Sequence, residues 1–385
     1  MLRTNTFLKS ILVSFLLLFM EISLFANDNN SEKEISLFDK KDGALDLSSY
    51  MSQAYGFTPV PLIITEPSVG YGLGATLVYL HNNITGEKSK SGRRVPPSMS
   101  GIIFAATQNG TKVSGAFHIG YWLDDSLRTT TYIGYPDIRM NIYKNDNAIE
   151  MKLHGVFAYQ NIKSRLGESD FFLGGSYMYM APEASFSFQE IEQDYGKKST
   201  ISSVGVILDY DSRDNKLSPN QGILITAKVL FYDESIGSDY DLQRYKATGL
   251  FYNKVTKNIN LDFNFMLDQE IGDKIPPYLL PSVAMRGIAL MRYQGKGVLS
   301  LQVQSSYSFA PRWRGLVFGG IARTYGETAL QNDISLSDAK NIYAGGIGFR
   351  YLLARKFGLR AGIDIATSEH NNAFYIQFGS AWRGF

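Results

Sequence analysis

Between Ile259 and Asp268 the chain alternates: Ile259, Leu261, Phe263, Phe265 and Leu267 against Asn260, Asp262, Asn264, Met266 and Asp268. A two-residue period is the pleat of a β-strand whose two faces meet different surroundings. The same pattern sets Ile223, Ile225, Ala227, Val229 and Phe231 against Leu224, Thr226, Lys228, Leu230 and Tyr232. Leu299, Leu301 and Val303 alternate with Ser300, Gln302 and Gln304, and Leu359, Ala361, Ile363 and Ile365 with Arg360, Gly362 and Asp364. Near the middle, Ile149, Met151, Leu153, Phe157 and Tyr159 oppose Glu150, Lys152 and His154, which predicts the apolar set outside and the charges inside.

A water-soluble sandwich would alternate in the same way. Two features favour a membrane barrel. The segments often reach ten or more residues, where strands of globular proteins average ~5–6. Aromatic residues gather near segment ends (Tyr79, Tyr121, Trp122, Tyr135, Tyr177, Tyr179, Phe251, Tyr252, Trp313, Trp382), where an interfacial girdle places them. A tilted strand of ~9–11 residues crosses a bilayer, and closing the sheet satisfies the backbone in hydrocarbon. The reading is all-β: a transmembrane antiparallel β-barrel of bacterial outer-membrane type. Turn signals at Asn109-Gly110, Asp124-Asp125-Ser126, Lys257-Asn258 and Pro311-Arg312 divide it into about 16 strands. Fourteen is the other even count, and Phe57–Glu66 is either a strand or a lead-in. Long polar inserts fall at Asn82–Pro97, Pro182–Thr200, Gly272–Gly295 and Glu327–Asn341.

Composition removes other classes. Zero cysteines in 385 residues exclude disulfides, Cys-ligated zinc and a thiol nucleophile. A formal charge of +2 lacks the basic excess of a nucleic-acid binder. A mean hydropathy of −0.12 argues against a bundle of membrane helices. At the N-terminus, Arg3 and Lys9 precede the apolar run Ile11 to Met20, followed by Ser23-Leu24-Phe25-Ala26 and a polar stretch. That order predicts a secretory signal peptide over 1–26, a short periplasmic segment over 27–55 and the barrel over 56–385. The expected location is the cell outer membrane of a Gram-negative-type bacterium, with its lipid as the surrounding partner.

Catalytic signatures are sparse. His81, His118, His154 and His370 show no metal spacing, so neither metal nor cofactor is expected. Gly70-Tyr71-Gly72-Leu73-Gly74 lacks the strand–helix context of a nucleotide loop. Asp42 to Ser48 lacks the order of a calcium loop and reads as a periplasmic plug or lead-in. No nucleophile elbow is present, and the chain is not expected to be an enzyme. A Ser/His site built across neighbouring strands would leave no sequence signature, and His154 is the residue such a site would use. Lys228, Arg244, Lys246, Glu150, Lys152 and Arg350 read as charges on a polar inner face.

Four motifs occur in a familiar order. Asp209-Tyr210-Asp211-Ser212-Arg213-Asp214-Asn215 with Pro219-Asn220-Gln221-Gly222 resembles the D-x-R-D-x-x-x-x-P-x-x-G turn of BamA/TamA-type barrels, the bacterial surface antigen family. Met285-Arg286-Gly287-Ile288 resembles that family's R-G-[FY] loop, with Ile288 in the aromatic position. Tyr343 to Arg350, followed by Leu359-Arg360 and Asp364, resembles its last strand pair, and Trp382-Arg383-Gly384-Phe385 its terminal assembly signal. Val317-Phe318-Gly319-Gly320-Ile321 stands where the family carries an acid. The match is good over Ile201 to Phe385 and loose over Gly56 to Met180. Asn27 to Tyr55 is too short for even one POTRA module, so the resemblance implies a member without them.

The resemblance further implies assembly or translocation of other proteins, with nascent outer-membrane proteins or separate periplasmic subunits as partners. A passive channel or structural barrel that kept the fold without the activity is the alternative. The family's loop lock carries over to Arg286 and Gly287, with Asp364 as the carboxylate partner and Asp262 and Asp268 as rivals. The turn motif carries over to Asp211, Arg213, Asp214, Pro219 and Gly222, and the terminal signal to Trp382 and Phe385.

Overall fold

In the computed structural model, which describes residues 36–53, 56–81, 95 and 97–382, the alternating segments form sixteen strands. They are β1 (Gly56–Ile64), β2 (Gly72–Leu80), β3 (Met99–Thr107), β4 (Lys112–Trp122), β5 (Leu127–Lys144), β6 (Asn147–Arg165), β7 (Phe171–Phe186) and β8 (Ile201–Asp211). The second half comprises β9 (Gly222–Tyr232), β10 (Leu242–Lys254), β11 (Ile259–Gly272), β12 (Gly297–Ser308), β13 (Trp313–Tyr325), β14 (Ile342–Ala354), β15 (Leu359–Ser368) and β16 (Asn372–Phe378). Two short helices, α1 (Ser48–Gln53) and α2 (Gln189–Tyr195), lie outside the sheet. Every strand pairs antiparallel with the next in sequence, as tight connections require. Phe57–Glu66 contains a strand rather than a lead-in. Among the described residues no helix is long and apolar enough to cross a bilayer. The segment read as a signal peptide, 1–26, lies outside the described residues.

Register fixes which side chains share a face. Phe263 on β11 lies opposite Phe251 on β10 and Val303 on β12, and Phe265 opposite Gly249 and Leu301. That row is the outer face, where Phe265, Leu301, Ile347 and Ile365 are exposed. The even row of β11 turns inward, and Asn260, Asp262, Asp268 and Glu270 are buried there. Apolar side chains facing outward over a polar interior invert the arrangement of a soluble sandwich.

The two rims differ. One carries the described N-terminal residues, the end of β16 and tight turns such as 123–126, 255–258 and 309–312. The other carries the long connections 187–200, 273–296 and 326–341. Connection 273–296 folds inward. Its Ile275, Tyr278, Leu279 and Leu280 join Ile142, Ile149, Met151 and Phe186 in a buried apolar cluster.

That cluster overturns the facing expected for β6. Ile149 and Met151 are buried inside, while Glu150 and Lys152 have half-exposed side chains outside and form a 3.5 Å ion pair. His154 also points outward, towards Glu183. The hairpins β5–β6 and β6–β7 run past the β3–β4 hairpin on the long-loop side, since Lys112 at the start of β4 already pairs with Asp137 in mid-β5. Beyond the bilayer the outer face meets water and the inner face meets a packed loop, so the polarity of the pleat reverses.

Candidate functional site

The inner face of the C-terminal strands holds Arg286. Its loop enters from the long-loop rim, and its guanidinium donates to Asp364 Oδ2 on β15 at 2.6 Å and to Gln304 Oε1 on β12 at 2.9 Å. The Phe318 ring lies 3.6 Å from the guanidinium carbon, a cation–π contact from β13. Asp364 also accepts two hydrogen bonds from Arg350 on β14, one of them 2.8 Å long. One fully buried carboxylate is thus shared by two guanidinium groups: Arg350 forks onto both its oxygens, and Arg286 bridges from it to Gln304, a planar geometry that an ammonium could not reproduce.

Gly287 makes the approach possible. Its φ is +93°, and a Cβ would stand 3.1 Å from the Thr367 carbonyl oxygen and 3.2 Å from Ala366 Cβ. Its N–H donates to the Tyr375 hydroxyl at 3.0 Å, and its carbonyl accepts from Ser368 Oγ at 2.7 Å. The loop is therefore bound to β15 and β16, the last two strands. Of the rival acids, Asp268 is taken by Arg244 at 2.8 and 3.0 Å. Asp262 accepts a 3.4 Å bond from the Gln304 side-chain amide.

The turn motif closes the other rim. Arg213 forks onto Asp211 at 2.8 and 3.2 Å, and Arg128 reaches Asp211 at 3.0 Å while gripping Asp125 at 2.7 and 2.8 Å. Asp214 Oδ1 caps the backbone N–H groups of Asn220 and Gln221, and Pro219 is buried. Gly222, at φ +108°, brings the chain back where a Cβ would meet the Ser212 carbonyl oxygen at 2.5 Å. Between these points the turn spans the mouth: Asn215 Nδ2 donates to the Phe357 carbonyl at 2.7 Å, and Arg360 N–H to Ser218 Oγ at 3.1 Å. Burial, reinforced by the Arg128 charge, pushes the Lys216 ammonium down to about 7.

Trp382 is placed differently from the expectation of a terminal strand signal. β16 stops at Phe378, Gly379 turns at φ +80° with its N–H on the Arg360 carbonyl at 2.8 Å, and the Ser380 N–H is caught by the Leu217 carbonyl at 2.8 Å. Trp382 is thereby drawn inside against Leu224, Leu250 and Tyr252, with its indole N–H 3.3 Å from Gln302 Oε1. Phe385 lies outside the described residues.

One contact set escaped sequence reasoning. Residues 37–46 form a small hairpin that wraps the Arg312 guanidinium, which donates to Asp39 (2.8 Å), Asp42 (2.7 and 2.9 Å), Asp46 (2.9 Å) and the Leu45 carbonyl (3.0 Å). Arg355 reaches Asp39 and Asp42 as well. The spaced acids of 39–46 were the visible signal; their partner, some 270 positions away, was not.

Among the described residues no ladder joins β1 to β16. The ends still approach at the long-loop rim, where the Tyr71 and Phe374 rings stack at 5.5 Å. Glu66 Oε1 accepts from Leu290 N–H at 3.2 Å.

No protein-family model and no curated protein match this chain. Solved structures do. BamA from Haemophilus ducreyi lacking POTRA domains 1–3 matches with a TM-score of 0.55 at 11% identity, over 85% of this chain and 70% of that one. CdiB from Escherichia coli matches at 0.58 and 9%, over 91% and 67%. CdiB from Acinetobacter baumannii matches at 0.53 and 8%, over 84% of this chain and 58% of that one. The chain has the barrel fold of these bacterial outer-membrane proteins. At such identities the likeness concerns fold alone.

Proposed function

We propose that this chain is an outer-membrane barrel of the assembly and translocation kind, whose β1–β16 seam offers strand edges to incoming outer-membrane proteins. The observation that carries the reading is the unladdered seam. Pro59 and Pro61 occupy alternate positions of β1, and β1 pairs with β2 along its whole length. Their missing N–H groups therefore belong to the free edge, which loses two donors towards β16. The partner edge is only seven residues long. An edge that cannot pair fully with its own last strand is available for β-augmentation by another chain. Arg286 and Gly287, bound to β15 and β16, serve in this reading as the lock that holds the seam's C-terminal side in shape. The short-turn rim faces the periplasm, where separate subunits could deliver clients.

The second reading, a passive channel, draws on the charged inner wall of Lys228, Arg244, Lys246 and Asp268. Against it stand the inward loop and Trp382, which occupy the interior, and the turn that spans the mouth.

The natural chain has no cysteine, so a single engineered pair is clean. Cysteines at Tyr71 and Phe374, bridged by a short bismaleimide, should abolish the acceleration of client-barrel folding in vesicles that contain this chain, and the unbridged variant should retain it. Equal client folding with and without the bridge rejects the seam. Steady single-channel conductance with no client effect selects the channel.

A further inference from the structure

A serine and two histidines meet on the outer face of the N-terminal strands, remote from the seam lock. Ser100 is the second residue of β3, His81 directly follows β2, and His118 lies on β4 directly opposite Ser100. Ser100 Oγ is 2.8 Å from His81 Nε2 and 2.8 Å from His118 Nδ1. The register puts Ser100 in one row with Tyr79 on β2, and the neighbouring outward residues of β3, Ile102 and Phe104, are exposed. All three side chains therefore point away from the barrel interior. Rings flank them: Phe57 against Tyr79 at 5.0 Å, Tyr79 against His81 at 5.1 Å, and Trp122 stacked on His118 at 5.6 Å. Such a belt at the short-turn rim marks the headgroup boundary of a bilayer, the depth at which the acyl esters of phospholipids lie.

We propose that Ser100, His81 and His118 form a serine esterase site for phospholipid acyl esters of the adjoining leaflet. A hydroxyl within hydrogen-bond reach of an imidazole is the activated-nucleophile arrangement. A hydroxyl between two imidazoles gives its proton to one and receives an N–H from the other, so the two rings divide the roles of base and donor. As Oγ adds to the ester carbonyl carbon, its proton passes to His81 Nε2. The Nδ1–H of His118, aimed at the same point, donates to the carbonyl oxygen as negative charge develops there. The carbon–oxygen bond to glycerol then breaks, and the leaving oxygen takes the proton from His81, releasing a lysophospholipid. Water attacks the acyl-serine, its proton goes to His81, and the fatty acid departs as Ser100 Oγ regains a proton.

The inference rests on the chain lying in a bilayer and is independent of the seam. Its test uses the full chain refolded into phosphatidylethanolamine–phosphatidylglycerol vesicles that carry a labelled acyl chain, with heat-modifiable migration as the control for folding. A fluorophosphonate probe should label Ser100, identified by peptide mass, and labelled fatty acid should appear together with lysophospholipid. Ser100→Ala should lose both signals. His81→Ala should lower release at least ~10²-fold, the usual share of a general base. Should Ser100→Ala fail to fold, wild-type barrel treated beforehand with the probe should show the same loss of release. A folded wild-type barrel that takes no probe at Ser100, or release that persists in Ser100→Ala, overturns the assignment.

Discussion

Removing either partner of the Arg286–Asp364 pair should not have equal effects, and the inequality follows from who is left behind. Arg286→Ala deletes charge-assisted bonds to Asp364 and Gln304 and the stack on Phe318, but Asp364 keeps both bonds from Arg350. A hydrogen bond to a charged group is worth about 1.5–3 kcal/mol, and since removing the guanidinium also removes the cost of burying it, a net loss of about 2–3 kcal/mol is expected. Asp364→Ala instead strands two guanidinium groups in a buried site. Breaking a buried pair costs about 3–5 kcal/mol, and this substitution should sit at the upper end. Arg286→Lys should recover part of the loss, since an ammonium keeps the charge without the fork. The double substitution should fall short of the sum by about 0.5–3 kcal/mol, as directly bonded neighbours do. Two measurements read this out: the temperature at which the folded barrel converts to unfolded mobility on gels, and the rate of trypsin cleavage between Gly272 and Gly295. Strict additivity, or Arg286→Ala exceeding Asp364→Ala, would refute the argument from stranded charge.

On the outer wall, Phe265→Lys should destabilise the barrel in vesicles by about 2–4 kcal/mol, and Asn264→Lys, one residue along and facing inward, should be mild; similar refolding midpoints would reverse the facing. The hydrogen bonds from Arg312 hold Asp42 down at about 2, from an ordinary 3.8. A depressed carboxylate stabilises above its unfolded pKa and loses that contribution as pH falls through its folded one. Residues 37–53 should therefore stay docked at pH 5, gain protease access between pH ~4 and ~2, and be released at pH 7 by Arg312→Ala. Trp382→Ala should lower heat resistance by about 3–5 kcal/mol, as loss of a buried aromatic does, without slowing delivery to the membrane. Slow delivery of an equally stable barrel would restore the reading of Trp382 as an assembly signal.

Period-two patterning determined the strands, their approximate number and the outward face of β9, β11 and β12, because a pleat between lipid and a polar interior leaves no other arrangement of its side chains. The turn from Asp211 to Gly222 was equally visible, since its capping carboxylate and its positive-φ glycine act on neighbours within the same dozen residues. Alternation says that two faces differ, not which is inside. On β6 that choice depended on how far the hairpin rises past its neighbours, and Ile149 and Met151 turned inward against a loop more than a hundred residues away. The partner of Arg286 was open among three acids, because a long loop can land anywhere on the inner wall; Arg244 occupies Asp268, and the loop's Gly287 packs closely against Thr367. Trp382 carried an aromatic of the expected kind, yet Gly379 and the Leu217 carbonyl redirected the chain before it. Ser100, His81 and His118 are separated by 19 and 18 positions, a spacing with no meaning along the chain. Only the antiparallel register of β2, β3 and β4 puts three outward side chains at one level, because pairing distance is set across the sheet and not along it.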